Sequence, residues 1–207
     1  MIFAHRGLVT KNSPENSIAS LHAAYKSGFR AIEFDLWFVN EEILIKHDQP
    51  SNETLPNLGD YFYFGEEMTY WLDFKNMNEV NAKKIFELVL VEIKKAKIGL
   101  DKIFLVPFEL NYELTKYFQM LARDVFGDSV QFAAVCEEEK NILLLEEFCA
   151  QERVGFLSVF HGLINANFVA KFSRQKIFAW TVNDLKRVAE LEKLGVKNFA
   201  TDLQNFS

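Results

Sequence analysis

The chain has 207 residues, with 23 lysines and arginines against 29 aspartates and glutamates, for a formal net charge of −6. This acidic balance argues against a nucleic-acid partner, because nucleic-acid-binding proteins usually carry a basic excess. With 49% hydrophobic and 25% charged residues, the composition is that of a folded protein rather than a disordered one. The length suits a single domain, which we assign to residues 1–207.

Short apolar runs alternate with longer amphipathic runs along the chain. The predicted strands are 2–5, 31–36, 43–47, 70–74, 103–106, 130–135, 156–160, 177–181 and 199–201. The predicted helices are 16–28, 79–96, 112–125, 141–150, 165–172 and 184–194. Alternating strands and helices predict a parallel sheet with crossover helices. A series of this length favours an α/β fold, a somewhat irregular (β/α)8 TIM barrel, over the alternative of a doubly wound open sheet.

The connection between the second and third predicted strands is unusual. Nine strands are predicted, one more than a barrel needs, and the link from Leu36 to Ile43 is too short for a helical crossover. We therefore expect an irregular connection at this point and one strand that does not belong to the barrel.

Few features of the sequence bear on the cellular compartment or the oligomeric state of the protein. The residues before His5 do not have the pattern of a signal peptide, in which a basic region is followed by an apolar one. No apolar run approaches the roughly 18 residues of a membrane span. Cys136 and Cys149 are typical of buried thiols in a reducing compartment rather than of a zinc site or a disulfide framework. These features predict a cytoplasmic protein with no transmembrane segment. The oligomeric state stays open.

Charged residues and histidines are concentrated at the ends of the first four predicted strands, where a barrel carries its active groups. Two of the four strands carry two such residues at positions i and i+2, and this spacing places both side chains on the same face of the strand. An isolated residue of this kind would be explained by a buried ion pair, but seven together indicate an active site. The seven residues are His5, Arg6, Glu33, Asp35, His47, Asp73 and Lys75.

Three of these residues, Glu33, Asp35 and Asp73, are acidic and predict a metal site. Carboxylates that converge on one point must bind a cation or be partly protonated. Oxygen ligands favour Mg²⁺ or Ca²⁺ over zinc.

The other four residues predict chemistry on a phosphate group. Arg6 and Lys75 beside a metal form a site for an oxyanion, and phosphate fits best. His5 and His47 can act as general base and general acid near neutral pH. Together the seven residues predict metal-assisted displacement at phosphorus.

Five segments, in order along almost the whole chain, resemble the signature motifs of the glycerophosphodiester phosphodiesterase family. They are His5–Gly7 with Pro14–Ser17, Glu33–Asp35, His47–Asp48, Ala179–Asn183, and Gly195–Val196 with Ala200–Asp202. The resemblance implies a TIM barrel related to the phosphatidylinositol-specific phospholipases C. It also implies that the protein is a metal-dependent phosphoric diester hydrolase, which converts a phosphodiester to a phosphomonoester and an alcohol.

The roles that the resemblance implies agree with those inferred above from side-chain chemistry. In the family, His5 and His47 would form the acid/base pair, Arg6 would contact phosphate, and Glu33 and Asp35 would bind the metal. At the third metal position the family has glutamate, where this chain has Asp73, one methylene shorter. Two further residues have two alternative roles each. Glu15 orients Arg6 or caps the first helix, and Trp180 lines the substrate cleft or packs in the barrel core.

The family usually carries an insertion after its second histidine motif, and residues 49–69 do not resemble it. A missing insertion should open the site to a larger phosphodiester, such as a lipid or glycan one, as well as to small molecules.

Two alternatives to a phosphodiester hydrolase stay open. The barrel could be a catalytically weak phosphate-binding or regulatory protein, or a phospholipase C-like lyase that stops at a cyclic phosphate.

Overall fold

The computed structural model describes residues 1–51 and 53–204. Within them the chain forms nine β-strands, seven α-helices and four short 3₁₀ helices. The strands are β1 (Ile2–His5), β2 (Ala31–Val39), β3 (Glu42–Ile45), β4 (Thr69–Phe74), β5 (Ile103–Pro107), β6 (Gln131–Cys136), β7 (Phe156–Phe160), β8 (Lys176–Trp180) and β9 (Asn198–Thr201). The helices are α1 (Ile18–Lys26), α2 (Leu58–Tyr61), α3 (Ala82–Ala96), α4 (Tyr112–Phe126), α5 (Ile142–Gln151), α6 (Ala166–Lys171) and α7 (Leu185–Lys193).

Eight of the strands close into a parallel barrel. Neighbouring strands follow the order β1-β9-β8-β7-β6-β5-β4-β2, and β2 returns to β1 through the pairs Ala4–Ile32 and His5–Glu33. The helices of the crossover connections surround the barrel. This closure confirms the predicted TIM barrel and excludes the open doubly wound sheet.

The ninth strand, β3, lies outside the barrel, as expected from the short connection. It pairs with β2 in antiparallel fashion, from Leu36–Ile45 to Val39–Glu42. The turn between them, at Asn40 and Glu41, has positive φ at both residues, which suits the twist of a tight hairpin. This pairing extends β2 three residues beyond its predicted end. It also ends β3 at Ile45, so His47 lies in the following turn and not on the strand where it was predicted.

Helix α1 begins two residues later than predicted. Its N-cap is Ser17, whose side chain accepts a hydrogen bond from the backbone N–H of Ser20. The predicted first residue, Asn16, has φ of +53° and lies in the loop. Helix α2 was not predicted, because four residues are too few to show a helical period.

The interior of the barrel is packed with aromatic rings below the site. Phe3 meets Trp71 edge to face, with ring centroids 5.4 Å apart, and Phe104 packs against Phe178 at 4.9 Å. Many of the 21 phenylalanines of the chain therefore lie in the core. The layer above these rings, towards the carboxyl ends of the strands, is polar. No helix in the described part of the chain has the length and apolar character needed to cross a membrane.

Candidate active site

A cavity of about 240 Å³ opens at the carboxyl ends of the barrel strands. All seven strand-end residues singled out from the sequence line this cavity, and so does Trp180. Glu15 does not line the cavity but contacts one of its lining residues, Arg6. The barrel thus brings together residues that are spread over the first half of the chain.

Three carboxylates form the floor of the cavity. Glu33 and Asp35 are almost fully buried, and with Asp73 they offer oxygen atoms that all lie within 4.8 Å of one another. Oδ1 of Asp73 is buried and has no hydrogen-bond partner among the described residues. A buried carboxylate oxygen without a partner is costly, and a hard cation would relieve that cost. The donor set therefore fits a divalent metal ion such as Mg²⁺ or Ca²⁺.

The charge balance of this floor supports the same conclusion. Burial raises the pKa of Glu33, and the nearby charge of Asp35 raises it further. Burial also raises the pKa of Asp73, although the Lys75 ammonium opposes the shift. Glu33 and Asp73 are therefore fully ionised only when enough positive charge is present in the site.

The two cationic side chains contact the carboxylates directly. Nζ of Lys75 lies 2.8 Å from Oδ1 of Asp35 and 2.8 Å from Oδ2 of Asp73. Nε of Arg6 lies 3.1 Å from Oδ2 of Asp35. Burial by itself would lower the pKa of Lys75, but the charges of Asp73 and Asp35 outweigh it and raise the pKa. Both cations keep further N–H donors, so their predicted contacts with phosphate remain chemically available.

The loop after β1 fixes the position of Arg6. Its backbone has φ of +55°, and its N–H donates to the backbone oxygen of Glu33 at 2.9 Å and to Oε2 of the same residue at 3.0 Å. Oε2 of Glu15 accepts from Nη1 of Arg6 at 3.1 Å, whereas the cap of α1 is Ser17. Glu15 therefore touches the arginine and not the helix end.

Asn16 holds Asp35 from the other side. Its side-chain amide donates to Oδ2 of Asp35 at 2.7 Å and accepts from the backbone N–H of Asp35 at 3.3 Å. A pair of bonds of this kind orients a carboxylate that would otherwise rotate. The motif Pro14–Ser17 contained this residue, but nothing in the sequence indicated its partner.

His5 is held by a residue near the other end of the chain. Its Nδ1 lies 2.7 Å from Oδ1 of Asp202, whose Oδ2 accepts from the Asn183 amide at 2.6 Å. Burial favours the neutral imidazole, but the hydrogen bond to Asp202 and the charge of Glu33 outweigh it and raise the pKa of His5. Its Nε2 faces the cavity, 3.3 Å from Oγ1 of Thr181 and 3.9 Å from Oε2 of Glu33.

His47 stands at the rim of the cavity in a more open environment. Its side chain is 39% exposed, and its Nδ1 lies 2.9 Å from Oδ1 of Asp48, which is itself 83% exposed. The backbone oxygen of His47 accepts from the indole N–H of Trp37 at 3.1 Å, which fixes the turn after β3. The two histidines therefore face one cavity from different depths.

The wall opposite the carboxylates is formed by the ends of β5 to β8. The rings of Phe108 and Trp180 are tilted by 58° with centroids 6.1 Å apart, and the indole N–H of Trp180 donates to Oγ of Ser158 at 2.9 Å. Trp180 thus lines the cavity and also packs against buried residues of the barrel core. Glu137, the first residue after β6, lines the same wall.

Sequence reasoning passed over Asn16, Phe108, Glu137 and Asp202 as site residues. For Glu137 a signal was present, because it follows a predicted strand end as the other site residues do. Asp202 belongs to a recognised motif, but only the closed barrel brings it to His5.

A model of the Glycerophosphoryl diester phosphodiesterase family matches residues 5–156. Over 99% of its length the chain is 24% identical to 95% of a Bacillus subtilis (strain 168) protein named "Putative glycerophosphodiester phosphodiesterase YhdW". The matched region includes all seven strand-end residues.

Solved structures share the fold. A glycerophosphodiester phosphodiesterase from Parabacteroides distasonis superposes with a TM-score of 0.77 at 21% identity, covering 98% of this chain and 92% of that one. A phosphodiesterase from Oleispira antarctica, determined in complex with the product sn-glycerol-3-phosphate, has a TM-score of 0.74 at 19% identity with the same coverage.

Proposed function

The chain belongs to the glycerophosphoryl diester phosphodiesterase family, and from that premise we propose that it is a metal-dependent enzyme that hydrolyses a glycerophosphodiester, or a related phosphodiester, to a phosphomonoester and an alcohol. One observation carries the proposal. Three carboxylates whose oxygens lie within 4.8 Å share a cavity with two histidines and two cationic side chains. We extend the catalytic domain to residues 1–207, since β9 and Asp202 complete the barrel and the site.

Glu33, Asp35 and Asp73 would hold the divalent ion, Mg²⁺ or Ca²⁺, through their carboxylate oxygens. When bound, the ion would supply positive charge against the phosphate oxygens. Asn16 keeps the Asp35 carboxylate in its orientation, and the Arg6 backbone N–H does the same for Glu33. Asp73 is well placed to gain a contact, because its Oδ1 has no partner among the described residues, whereas Oδ1 of Asp35 lies 2.8 Å from Nζ of Lys75.

Arg6 and Lys75 would bind the non-bridging oxygens of the phosphodiester. Arg6 is braced by Glu15 on one side and Asp35 on the other, so its guanidinium is oriented before the substrate arrives. Lys75 is shared by two carboxylates and would keep its positive charge across the physiological pH range.

His5 would be the general base. With Nδ1–H donated to Asp202, its Nε2 presents a lone pair to the cavity, where it would take the proton of the attacking oxygen. The imidazolium so formed would be stabilised by Asp202 and Glu33. His47, more exposed and on the rim, would return a proton to the leaving alcohol oxygen as the P–O bond breaks. The attacking oxygen would be that of a water molecule, or that of a neighbouring hydroxyl of the substrate, in which case a water molecule would then open the cyclic phosphate to give the phosphomonoester.

The glycerol-headed substrate is supported by the family and by the product bound to the Oleispira antarctica relative. The short link between His47 and Asp73, whose residues 49–69 do not resemble the family's insertion, favours acceptance of larger esters as well, including lipid ones. Comparing glycerophosphocholine with lysophosphatidylcholine separates these two sizes while keeping the same head group. A strong preference for the small ester would contradict an enlarged site.

The proposal is tested by assaying the purified protein against bis(p-nitrophenyl) phosphate and glycerophosphocholine, after EDTA treatment and after adding back Mg²⁺, Ca²⁺ or Mn²⁺. We expect activity that EDTA removes and that one of the metals restores. Phosphorus NMR of the product distinguishes a hydrolase from a lyase, because a lyase would accumulate the cyclic phosphate. No turnover with any metal, together with retained phosphate binding, would replace the enzyme with the binding-protein alternative.

A further inference from the structure

The ends of strands β8 and β9 carry two of the segments that resemble the family motifs, Ala179–Asn183 and Ala200–Asp202. The backbone N–H of Val182 donates to the backbone oxygen of Ala200 at 2.9 Å, so the two segments stay side by side beyond the end of the sheet. The reaction proposed for this site assigns no role to Asn183, the last residue of the first segment.

Asn183 holds Asp202 at two points. Its side-chain amide donates to Oδ2 of Asp202 at 2.6 Å, and its side-chain oxygen accepts from the backbone N–H of Asp202 at 2.8 Å. The other carboxylate oxygen of Asp202, Oδ1, is the one that lies 2.7 Å from Nδ1 of His5. The two oxygens of Asp202 therefore have different partners, and the bond to Asn183 determines which of them faces the histidine.

The orientation of the Asn183 amide is itself fixed by Thr201, which is almost fully buried. Oγ1 of Thr201 accepts from the backbone N–H of Leu203 at 3.1 Å and donates to the side-chain oxygen of Asn183 at 3.3 Å. This oxygen thus receives two hydrogen bonds, one from Thr201 and one from the backbone of Asp202. The amide nitrogen must then point towards the Asp202 carboxylate.

Asp202 needs such support because its side chain is 41% exposed. An exposed carboxylate exchanges its partners with water, and an ion pair alone orients it weakly. The same two bonds occur at the metal site, where Asn16 donates to Oδ2 of Asp35 and accepts from its backbone N–H. The fold therefore uses one arrangement at two carboxylates whose direction matters for the site.

We propose that Asn183 is a positioning residue that acts on His5 through Asp202. By holding Oδ2 of Asp202, it keeps Oδ1 directed at Nδ1 of His5, so that the lone pair on Nε2 of the neutral ring faces the cavity. Asn183 lies outside the lining of the cavity, so it acts at one remove from the substrate. The effect on turnover rests on the proposed phosphodiesterase function, whereas the effect on the imidazole ring does not.

Removal of the Asn183 amide should lower kcat and leave KM unchanged. In Asn183→Ala the carboxylate of Asp202 is still present but free to rotate. We therefore expect kcat for glycerophosphocholine to fall by about tenfold, less than the roughly 10²-fold cost of a misplaced catalytic group. KM should stay within about twofold, because Arg6 and Lys75 keep their contacts. Wild-type kcat in Asn183→Ala would contradict the proposal.

The matched control is Asn198→Ala. Asn198 joins the same two strands at the other end of the barrel, where its amide donates to the backbone oxygen of Ile177 at 3.4 Å. Its replacement removes an asparagine side chain between β8 and β9 without touching Asp202. We expect Asn198→Ala to keep the wild-type kcat.

A double variant shows whether Asn183 acts through Asp202. In the Asp202→Asn background His5 has already lost its carboxylate partner. Adding Asn183→Ala should then lower kcat further by less than about twofold, because the two losses are coupled and not additive. A further tenfold loss in that background would overturn the proposal, since Asn183 would then act independently of Asp202.

The tautomer of His5 gives a readout that needs neither metal nor substrate. Nitrogen-15 chemical shifts of the ring, measured in EDTA at about pH 9, report which nitrogen of the neutral imidazole carries the proton. We expect the wild type and Asn198→Ala to hold this proton on Nδ1, and Asn183→Ala to transfer part of it to Nε2. Equal tautomer populations in the wild type and Asn183→Ala would overturn the positioning role.

The two proposals fail separately. If the wild type shows no turnover with any metal and the His5 tautomer still depends on Asn183, the phosphodiesterase function fails alone. If hydrolysis proceeds while kcat or the tautomer is unchanged in Asn183→Ala, the positioning role fails alone.

Discussion

Nδ1 of His5 lies 2.7 Å from Oδ1 of Asp202, although 197 positions separate the two residues in the chain. The contact joins the first strand of the barrel to the segment after the last one. It fixes which ring nitrogen of His5 faces the cavity, because a neutral imidazole that donates from Nδ1 has its free lone pair on Nε2.

We expect Asp202→Asn to lower kcat by about 10²-fold, within the range typical of a lost acid or base function. Asp202 raises the pKa of His5, so the variant should lower that pKa. A base is active when neutral, and the acidic limb of the pH–rate profile should therefore move to lower pH as kcat falls. NMR titration of His5 in EDTA measures the pKa shift without turnover.

The control for this prediction is the second carboxylate–histidine pair of the site. Asp48 contacts His47 in the same way but is 83% exposed, so water replaces it readily. Asp48→Asn should change kcat by less than about threefold. Equal losses in the two variants would show that Asp202 has no special role.

His47 should matter most for poor leaving groups. A general acid assists departure of an alkoxide, whereas p-nitrophenolate leaves without help. His47→Ala is therefore expected to lower kcat for glycerophosphocholine by at least about 10²-fold and to affect bis(p-nitrophenyl) phosphate far less. His5→Ala should reduce both activities. The control is His22→Gln, since His22 packs against Tyr63 and Phe64 away from the cavity. A uniform loss for both substrates in His47→Ala would contradict the acid role.

The metal site can be tested through Asp73. Asp73→Asn should weaken metal binding by at least about tenfold, and Asp73→Glu, which has the side chain that the family resemblance predicts there, should keep it. Titration with Mn²⁺, followed by electron paramagnetic resonance, gives the affinity without any substrate. Asp128→Asn, an exposed aspartate at the opposite end of the barrel, provides the matched control. An unchanged affinity in Asp73→Asn would remove this residue from the ligand set.

Metal affinity should also depend on pH. Burial raises the pKa of Glu33 and of Asp73, so protons compete with the metal for these carboxylates as the pH falls. We expect metal binding to be weaker at pH 6 than at pH 8. We also expect the protein to release protons when the metal binds, which calorimetry in buffers of different ionisation enthalpy detects. Binding that is independent of pH over this interval would mean that the carboxylates are already ionised without the metal.

The fold could be predicted from the sequence because its signals are local. Apolar strands and amphipathic helices alternate with clear periods, and the short link before Ile43 even indicated the strand outside the barrel. The seven strand-end residues followed from one rule about barrels. Contacts between distant segments could not be predicted in this way: Asp202 reaches His5 and Asn16 reaches Asp35 only because the sheet closes.

The loop that carries Arg6 depends on the absence of a side chain at Gly7. Gly7 has φ of +82°, and an added Cβ would lie 2.7 Å from the backbone carbon of Ser20 and would also overlap its Oγ. Gly7→Ala thus combines left-handed backbone strain of about 1–2 kcal/mol with overpacking of about 1–3 kcal/mol. Gly28→Ala isolates the first contribution, because Gly28 has φ of +94° but nothing within 4 Å of an added Cβ. Urea unfolding should show a larger loss of stability for Gly7→Ala, and phosphodiesterase activity should fall only in that variant. The reason is that Ser20 ties this loop to helix α1: its backbone oxygen accepts a hydrogen bond from the Leu8 N–H, and its hydroxyl donates one to the backbone oxygen of Arg6. Equal destabilisation of the two variants would mean that the loop yields to the methyl group, and that Arg6 does not depend on this packing.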